Sequence, residues 1–192
     1  MDHENGSKTT IRNELIGERI ILRRAREGDA EKIFAAALES KEALLEWAHW
    51  FHPGYAQEET AQWVGSRDAA WKQGMEYAFI IEDREGAFVG NCGINRIDRL
   101  NLFANLGYWV RSSRTGQGLA TAATRLLLPF AFGDLGLTRV EIVVAAGNLA
   151  SRRVAEKTGA LREALLRNRL RLHGRSVDAV MFSHVSGHDG AA

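Results

Sequence analysis

The chain of 192 residues has one cysteine, Cys92, and only two prolines, Pro53 and Pro129. A lone cysteine excludes an intrachain disulfide, and a cytoplasmic setting is the simple expectation. No run of about 18 or more apolar residues occurs, so no membrane-spanning helix is expected. Met1 to Thr10 is polar, carries Asp2 and Glu4, and lacks the apolar core of a secretory signal. No spacing of His, Cys, Asp and Glu suggests a metal site. No Walker loop is present, because no Lys-Ser or Lys-Thr follows a suitable glycine turn. What remains is a composition 45% apolar and 26% charged, that of a globular chain of one domain with a sizeable core.

The net charge of +1 hides an uneven distribution. Residues 111 to 175 carry 12 Lys or Arg against 4 acids. This excess attracts an anionic ligand, or it is a solvated basic face; charge alone does not choose. It begins at Tyr108-Trp109-Val110-Arg111-Ser112-Ser113-Arg114-Thr115-Gly116-Gln117-Gly118-Leu119-Ala120-Thr121. An apolar strand ends at Val110, a polar turn with two glycines follows, and a helical pattern runs from Leu119 to Phe132. A helix N-terminus entered through glycine presents unpaired N–H groups and the positive end of the helix dipole. Such a turn suits a pyrophosphate. It comes too late in the chain, after several antiparallel strands, to be a dinucleotide fingerprint.

Periodicity divides the rest. Arg19–Arg23 reads as a strand, and Asp29 as the N-cap of a helix over Ala30–Leu38. Further helices are expected over Lys41–Trp50 and Glu58–Lys72. Tyr77–Ile81 and Ala87–Ile94 form a hairpin around Asp83-Arg84-Glu85-Gly86, and Ala104–Val110 is the next strand. After the glycine turn and its helix come a strand over Thr138–Val144 and a helix over Leu149–Thr158 closed by Gly159. Strands over Leu161–Leu172 and Val177–His184 end the domain. This order implies an α/β (α+β) fold: a mixed, mostly antiparallel sheet of six to seven strands, with helices on both faces. One domain is expected over residues 14–185, with a disordered tail at 1–13 and a loose one at 186–192.

Several segments in order carry a resemblance. They are Gly90-Asn91-Cys92-Gly93-Ile94-Asn95-Arg96-Ile97, Leu106-Gly107-Tyr108-Trp109-Val110, Gly116-Gln117-Gly118-Leu119-Ala120-Thr121, Gly136-Leu137-Thr138-Arg139-Val140-Glu141, and Asn148-Leu149-Ala150-Ser151-Arg152-Arg153-Val154-Ala155-Glu156-Lys157-Thr158-Gly159-Ala160. Over Leu15 to Val185 the chain resembles the GNAT superfamily of acetyl-CoA-dependent N-acetyltransferases, and within it the RimJ/RimL branch that acetylates protein N-terminal amines. The resemblance implies a splayed strand pair that forms the CoA cleft. It implies that the backbone at Trp109 and Val110 pairs with the pantetheine arm, and that the amides of Gly116, Gln117, Gly118, Leu119, Ala120 and Thr121 hold the pyrophosphate. Asn148 then bonds the pantetheine or orients the acetyl end, and Ser151 protonates the departing thiolate; plain helix capping is the alternative for both. The chain departs from the family at Thr115, where Gln or Arg is usual, and Arg114 beside it is expected to supply the charge. It departs again at Ala160, which stands in place of Phe, and at Leu170, where some relatives carry a glutamate.

The base is therefore sought by chemistry. Glu141, on the strand leading to Asn148 and sharing a face with Val143 and Ala145, is the candidate; a surface ion pair is the alternative. His49, His52 and His173 lie in loops or helix ends and read as surface residues. A strand amide near Val110 is the expected oxyanion donor, and Cys92 reads as a core residue. Trp47, His49, Trp50, Phe51, His52 and Tyr55, ringed by Glu39, Glu42, Glu46, Glu58 and Glu59, suit an amine or peptide acceptor; core packing and a homodimer contact are the alternatives. The expected reaction moves acetyl from acetyl-CoA to a primary amine, first of all a protein N-terminus, with no covalent enzyme intermediate. A small-molecule amine acceptor, or a non-catalytic acyl-CoA-binding module, remains open. No nucleic-acid or membrane partner is expected.

Overall fold

The computed structural model describes residues 11–187. Its sheet has eight strands in the order β1-β2-β3-β4-β5-β6-β8-β7. The strands are β1 (Glu14–Ile16), β2 (Ile20–Arg24), β3 (Tyr77–Asp83), β4 (Phe88–Asp98), β5 (Phe103–Val110), β6 (Arg139–Ala145), β7 (Leu161–Leu172) and β8 (Arg175–Val185). The helices are α1 (Ala30–Glu39), α2 (Lys41–Trp47), α3 (Gln57–Lys72), α4 (Leu119–Pro129) and α5 (Leu149–Lys157). The fold class is as the sequence implies, with one strand more. The extra strand β1 is three residues long, too short to show an alternation in sequence, and it turns back onto β2 with Leu15 opposite Leu22. The expected tails fall mostly on residues 1–10 and 188–192, outside the described residues. Arg12, at the foot of the first, lies against the domain, with Nη2 2.5 Å from Asp134 Oδ2.

Every strand pair is antiparallel except β5 with β6. Even-numbered residues of those two strands, Ala104, Leu106, Val140, Ile142 and Val144, point into a core shared with Leu119, Ala123, Leu127 and Phe130 of the α4 segment and Ala155 of α5. The opposite face packs against α1 and α3 through Ile33, Ala36, Val64, Ile80 and Phe88, with Trp109 alongside. Alternation thus puts helices on both faces, one set per side-chain parity.

Two local expectations change. Asp29 does not cap α1. Its carboxylate turns inward to the buried Arg23, which it meets through Nη1 and Nη2 at 2.7 Å each, and it also accepts from the N–H of Arg26 at 2.7 Å. A buried guanidinium is a stronger partner than an exposed helix N–H. The helix after the glycine turn ends at Pro129 and continues as a π turn over Phe130–Asp134, which brings Phe130 under Trp71, Tyr77 and Phe79.

Candidate active site

The parallel pair β5–β6 holds together for only three rungs, Phe103 with Arg139, Ala104 with Val140 and Asn105 with Glu141. Beyond Asn105 and Glu141 the strands part. β5 stays on β4 as far as Val110, whereas β6 follows β8 as far as Ala145. The result is a slit between the ends of two strands, with the N-termini of α4 and α5 at its rim.

The phase of the hydrogen bonds says which backbone groups face the slit. The N–H of Arg111 donates to Val89 O, toward β4, and Leu102 O accepts from Thr138 and Arg139, toward β6. N–H and C=O swap sides at each residue, so those of Leu106, Tyr108 and Val110 point into the slit. Those of Trp109 point to β4, and its ring lies on the opposite face, 5.9 Å from Trp50 and from Phe88. Of the two strand-end residues expected to meet a pantetheine, Val110 is the one with backbone groups free to do so.

Beyond β5, Gly116 and Gly118 have φ of +74° and +76°, in the left-handed region that glycine enters without steric cost. Gly118 is the N-cap of α4, whose first backbone bond runs from Ala122 N–H to Gly118 O. Among the described residues, no protein acceptor takes the N–H groups of Gly116, Gln117, Gly118, Leu119, Ala120 and Thr121. Six successive unpaired donors at a helix start form an anion cradle, and the residues fit a pyrophosphate.

Two arginines stand beside the cradle, and Arg114, the one expected, keeps its Nε 3.4 Å from Gln117 Oε1. Arg114 Nη1 is 2.8 Å from Asp83 Oδ2, so its charge is answered by the turn between β3 and β4. Arg19, just before β2, donates to Gln117 O at 2.8 Å. It lines a groove of about 520 Å³ with Gly118, Thr121, Arg125 and Lys157. The sequence signal for Arg19 was weak, because 98 residues separate it from Gln117.

On the α5 side, Asn148 Oδ1 accepts from Ser151 N–H at 3.0 Å, a genuine helix cap. Ser151 Oγ donates to Tyr108 Oη at 3.1 Å, and Tyr108 Oη donates to Ser151 O at 2.9 Å. Burial pushes the Tyr108 hydroxyl up to about 12, against the lowering effect of its Ser151 contact. Tyr108 shows no role in the sequence, since a strand tyrosine packing on a helix leaves no spacing signature.

Glu141 sits at the fork of the slit, on the face away from α4 and α5. Arg139 Nε donates to its Oε1 at 2.9 Å, and the same guanidinium holds Glu163 at 2.8 and 2.6 Å. Arg139 and Ser183 together hold the Glu163 carboxyl down at about 2, so Glu163 stays ionised. Ser151 and Glu141 therefore lie on opposite faces and can meet only through the slit. The structure also answers the Asp83 turn: burial would raise that carboxyl, but the Ala87 N–H and Arg114 hold it below its ordinary range.

The aromatic cluster divides. Phe51 is buried with Ala37 and Leu44, and Trp50 and Tyr55 pack on them. Trp47 does otherwise: a Cβ on Gly147 would lie 3.1 Å from its ring, so the ring covers the turn between β6 and α5. His52 is bound by Glu59 at 3.0 Å and by Pro53 O, which raises its pKa. Cys92 is buried and its thiol is pushed up by desolvation, as befits a core residue.

These features define an acyltransferase scaffold, and comparison with known proteins agrees. Residues 19–161 match the family described as acetyltransferase (GNAT) domain. YdaF of Bacillus subtilis (strain 168), provisionally named a ribosomal N-acetyltransferase, is 32% identical over 171 residues, covering 88% of this chain and 92% of YdaF. The ribosomal-protein-serine acetyltransferase of Escherichia coli (strain K12) is 24% identical over 170 residues, covering 88% and 94%. The solved structure of Mycobacterium smegmatis RimJ in complex with CoA-disulfide has a TM-score of 0.81 at 29% identity, covering 90% of this chain and 85% of that one. The chain belongs to the GNAT acetyltransferase family and is an acyltransferase.

Proposed function

We propose that this acetyltransferase uses acetyl-CoA to acetylate the N-terminal amine of a protein, of the ribosomal-protein type, in the cytoplasm. The observation that carries the reading is the slit between β5 and β6, with an anion cradle at one end, a hydroxyl on one face and a carboxylate on the other. Acetyl-CoA supplies an activated acyl group and a thiolate leaving group. The amides of Gly116 to Thr121 hold the pyrophosphate, and Val110 and Tyr108 offer strand hydrogen bonds to the pantetheine. The Val110 N–H is the donor for the oxygen that gains charge during attack. Ser151 stands on the sulfur side and gives the thiolate its proton; Asn148 fixes the start of its helix.

The acceptor approaches from the other face, where Glu141 lies. An α-amine has a pKa near 8, so about a tenth is already neutral at pH 7 and the base has a modest task. Arg139 binds one Glu141 oxygen and leaves the second for a water or the amine. The relatives named for ribosomal-protein acetylation support the choice of acceptor.

The test is thiol release from acetyl-CoA with peptides bearing a free N-terminal serine or alanine, the same peptides N-terminally blocked, and a set of amino acids and polyamines. Turnover of the free peptides alone is expected. Turnover of small amines only would move the acceptor class, and tight CoA binding without any turnover would make the chain an acyl-CoA-binding module. A second expectation concerns the cofactor alone. Arg19→Ala and Arg125→Ala should each weaken CoA binding by about fivefold, near 1 kcal/mol for a lost charge-assisted contact at an exposed site, and the loss should shrink as salt rises. Calorimetric titration of CoA checks it; unchanged affinity would remove the groove from the binding site.

A further inference from the structure

Tyr108 carries a half-buried hydroxyl that the proposed function leaves idle. Its ring leaves β5 on the side of α5, at the slit, and its Oη is bonded twice to one residue, to Ser151 Oγ at 3.1 Å and to Ser151 O at 2.9 Å. In this arrangement Ser151 donates its only hydroxyl hydrogen to Tyr108, and none is left for a sulfur. Ser151 can serve as a proton donor only if its hydrogen turns away from Tyr108. Its Oγ would then need a donor of its own on the Tyr108 side.

We infer that Tyr108 is a positioning residue that completes a two-hydroxyl relay, turning its own hydrogen from Ser151 O to Ser151 Oγ as Ser151 turns to the leaving sulfur. Both heavy-atom distances are already those of hydrogen bonds, so rotation about two C–O bonds is enough. When the carbon–sulfur bond breaks, its electron pair stays on sulfur. The Ser151 proton passes to sulfur, the Tyr108 proton passes to Ser151 Oγ, and Tyr108 recovers through solvent the proton shed by the attacking nitrogen. No oxidant or further reactant is needed, and the enzyme returns to its starting state. A phenol with its pKa raised to about 12 stays protonated throughout the neutral range, so the bond between the two hydroxyls always has its hydrogen. The chain of two hydroxyls also strengthens the final donor, because each hydrogen bond polarises the next. The inference rests on the reading of Ser151 as the proton donor.

The variant Tyr108→Phe keeps the ring and its packing and removes only Oη. It should lower kcat about tenfold or more, the lower range for losing part of an acid–base contact, while the Kd for CoA stays within about twofold. Ser151→Ala should lower kcat at least as much. The double variant should be no slower than Ser151→Ala alone, since two members of one relay do not add. Proton inventory in mixed H₂O and D₂O should bend for the wild type and become linear in Tyr108→Phe; a merely structural role would leave the curvature unchanged. If Ser151→Ala slows the enzyme and Tyr108→Phe does not, or if the two losses multiply, the relay is wrong and Ser151 keeps its role. If Ser151→Ala has no effect, the reading of Ser151 is wrong, and the relay falls with it.

Discussion

Gly118→Trp should abolish measurable CoA binding, with Kd raised at least about 100-fold, or some 2.7 kcal/mol. Two causes act together. The N–H groups of Gly116 to Thr121 can converge on a pyrophosphate only if nothing projects from the N-cap of α4, and an indole there fills the cradle. Gly118 also sits at φ +76°, where an L side chain costs about 1–2 kcal/mol. That cost should lower the melting temperature by only a few degrees in a chain of this length. The space around the position is open: the nearest atom to a Cβ would be Arg19 Nη1 at 4.0 Å. Gly118→Ala therefore separates the two causes, with a similar loss of stability and much milder loss of binding. Full CoA affinity in a folded Gly118→Trp enzyme would remove the loop from the binding site.

Arg23→Met should be the most destabilising single change away from the site. Arg23 is buried and donates to Asp29 at 2.7 Å through two nitrogens and to Glu82 at 2.8 and 2.5 Å. It ties the turn before α1 to the sheet between β2 and β3. Its removal leaves two carboxylates without the guanidinium bonded to both, a loss of about 3–5 kcal/mol at pH 7, read from urea midpoints. Burial alone would raise the Asp29 carboxyl, but Arg23 and the Arg26 N–H overcome it and hold it below its ordinary value. A carboxyl lowered in the folded state gives stability that is fully present above its unfolded pKa, near 3.9, and is lost as pH falls through the folded value. The wild type should therefore lose stability in acid. The gap between wild type and Arg23→Met should narrow in the same range, as Asp29 protonates. A gap that stays constant from pH 7 to pH 3 would show that the charge pairing is not its source.

Periodicity and punctuation made most of the elements legible. The helix after Asn148, the strand over Thr138–Val144 and the glycine turn all stand within a residue or two of their expected places, because alternation, capping and left-handed glycines are local effects. Strand β1 was not legible, since three residues cannot display a period. Asp29 has the sequence setting of a cap, and spacing cannot reveal that Arg23 lies buried next to it. At the site, Gly116 to Thr121 and Asn148 with Ser151 were visible as motifs. Arg114 and Trp109 were visible too, but the fold turns the first to Asp83 and the second to Trp50.

By itself the sequence determined the class of protein, the chain order of its elements and the segment able to hold a pyrophosphate. Each of these depends on residue type and on contacts within a few positions. Tertiary structure alone decided which charge stands at the cradle, which backbone groups face the slit, and that Tyr108 and Ser151 share a hydrogen bond across 43 positions. Those facts follow from the register of β5 on β4 and from the parting of β5 and β6 after Asn105 and Glu141. Register is a property of paired strands, and a one-residue slip would exchange the two faces of β5 and with them the donor and acceptor sides of the site.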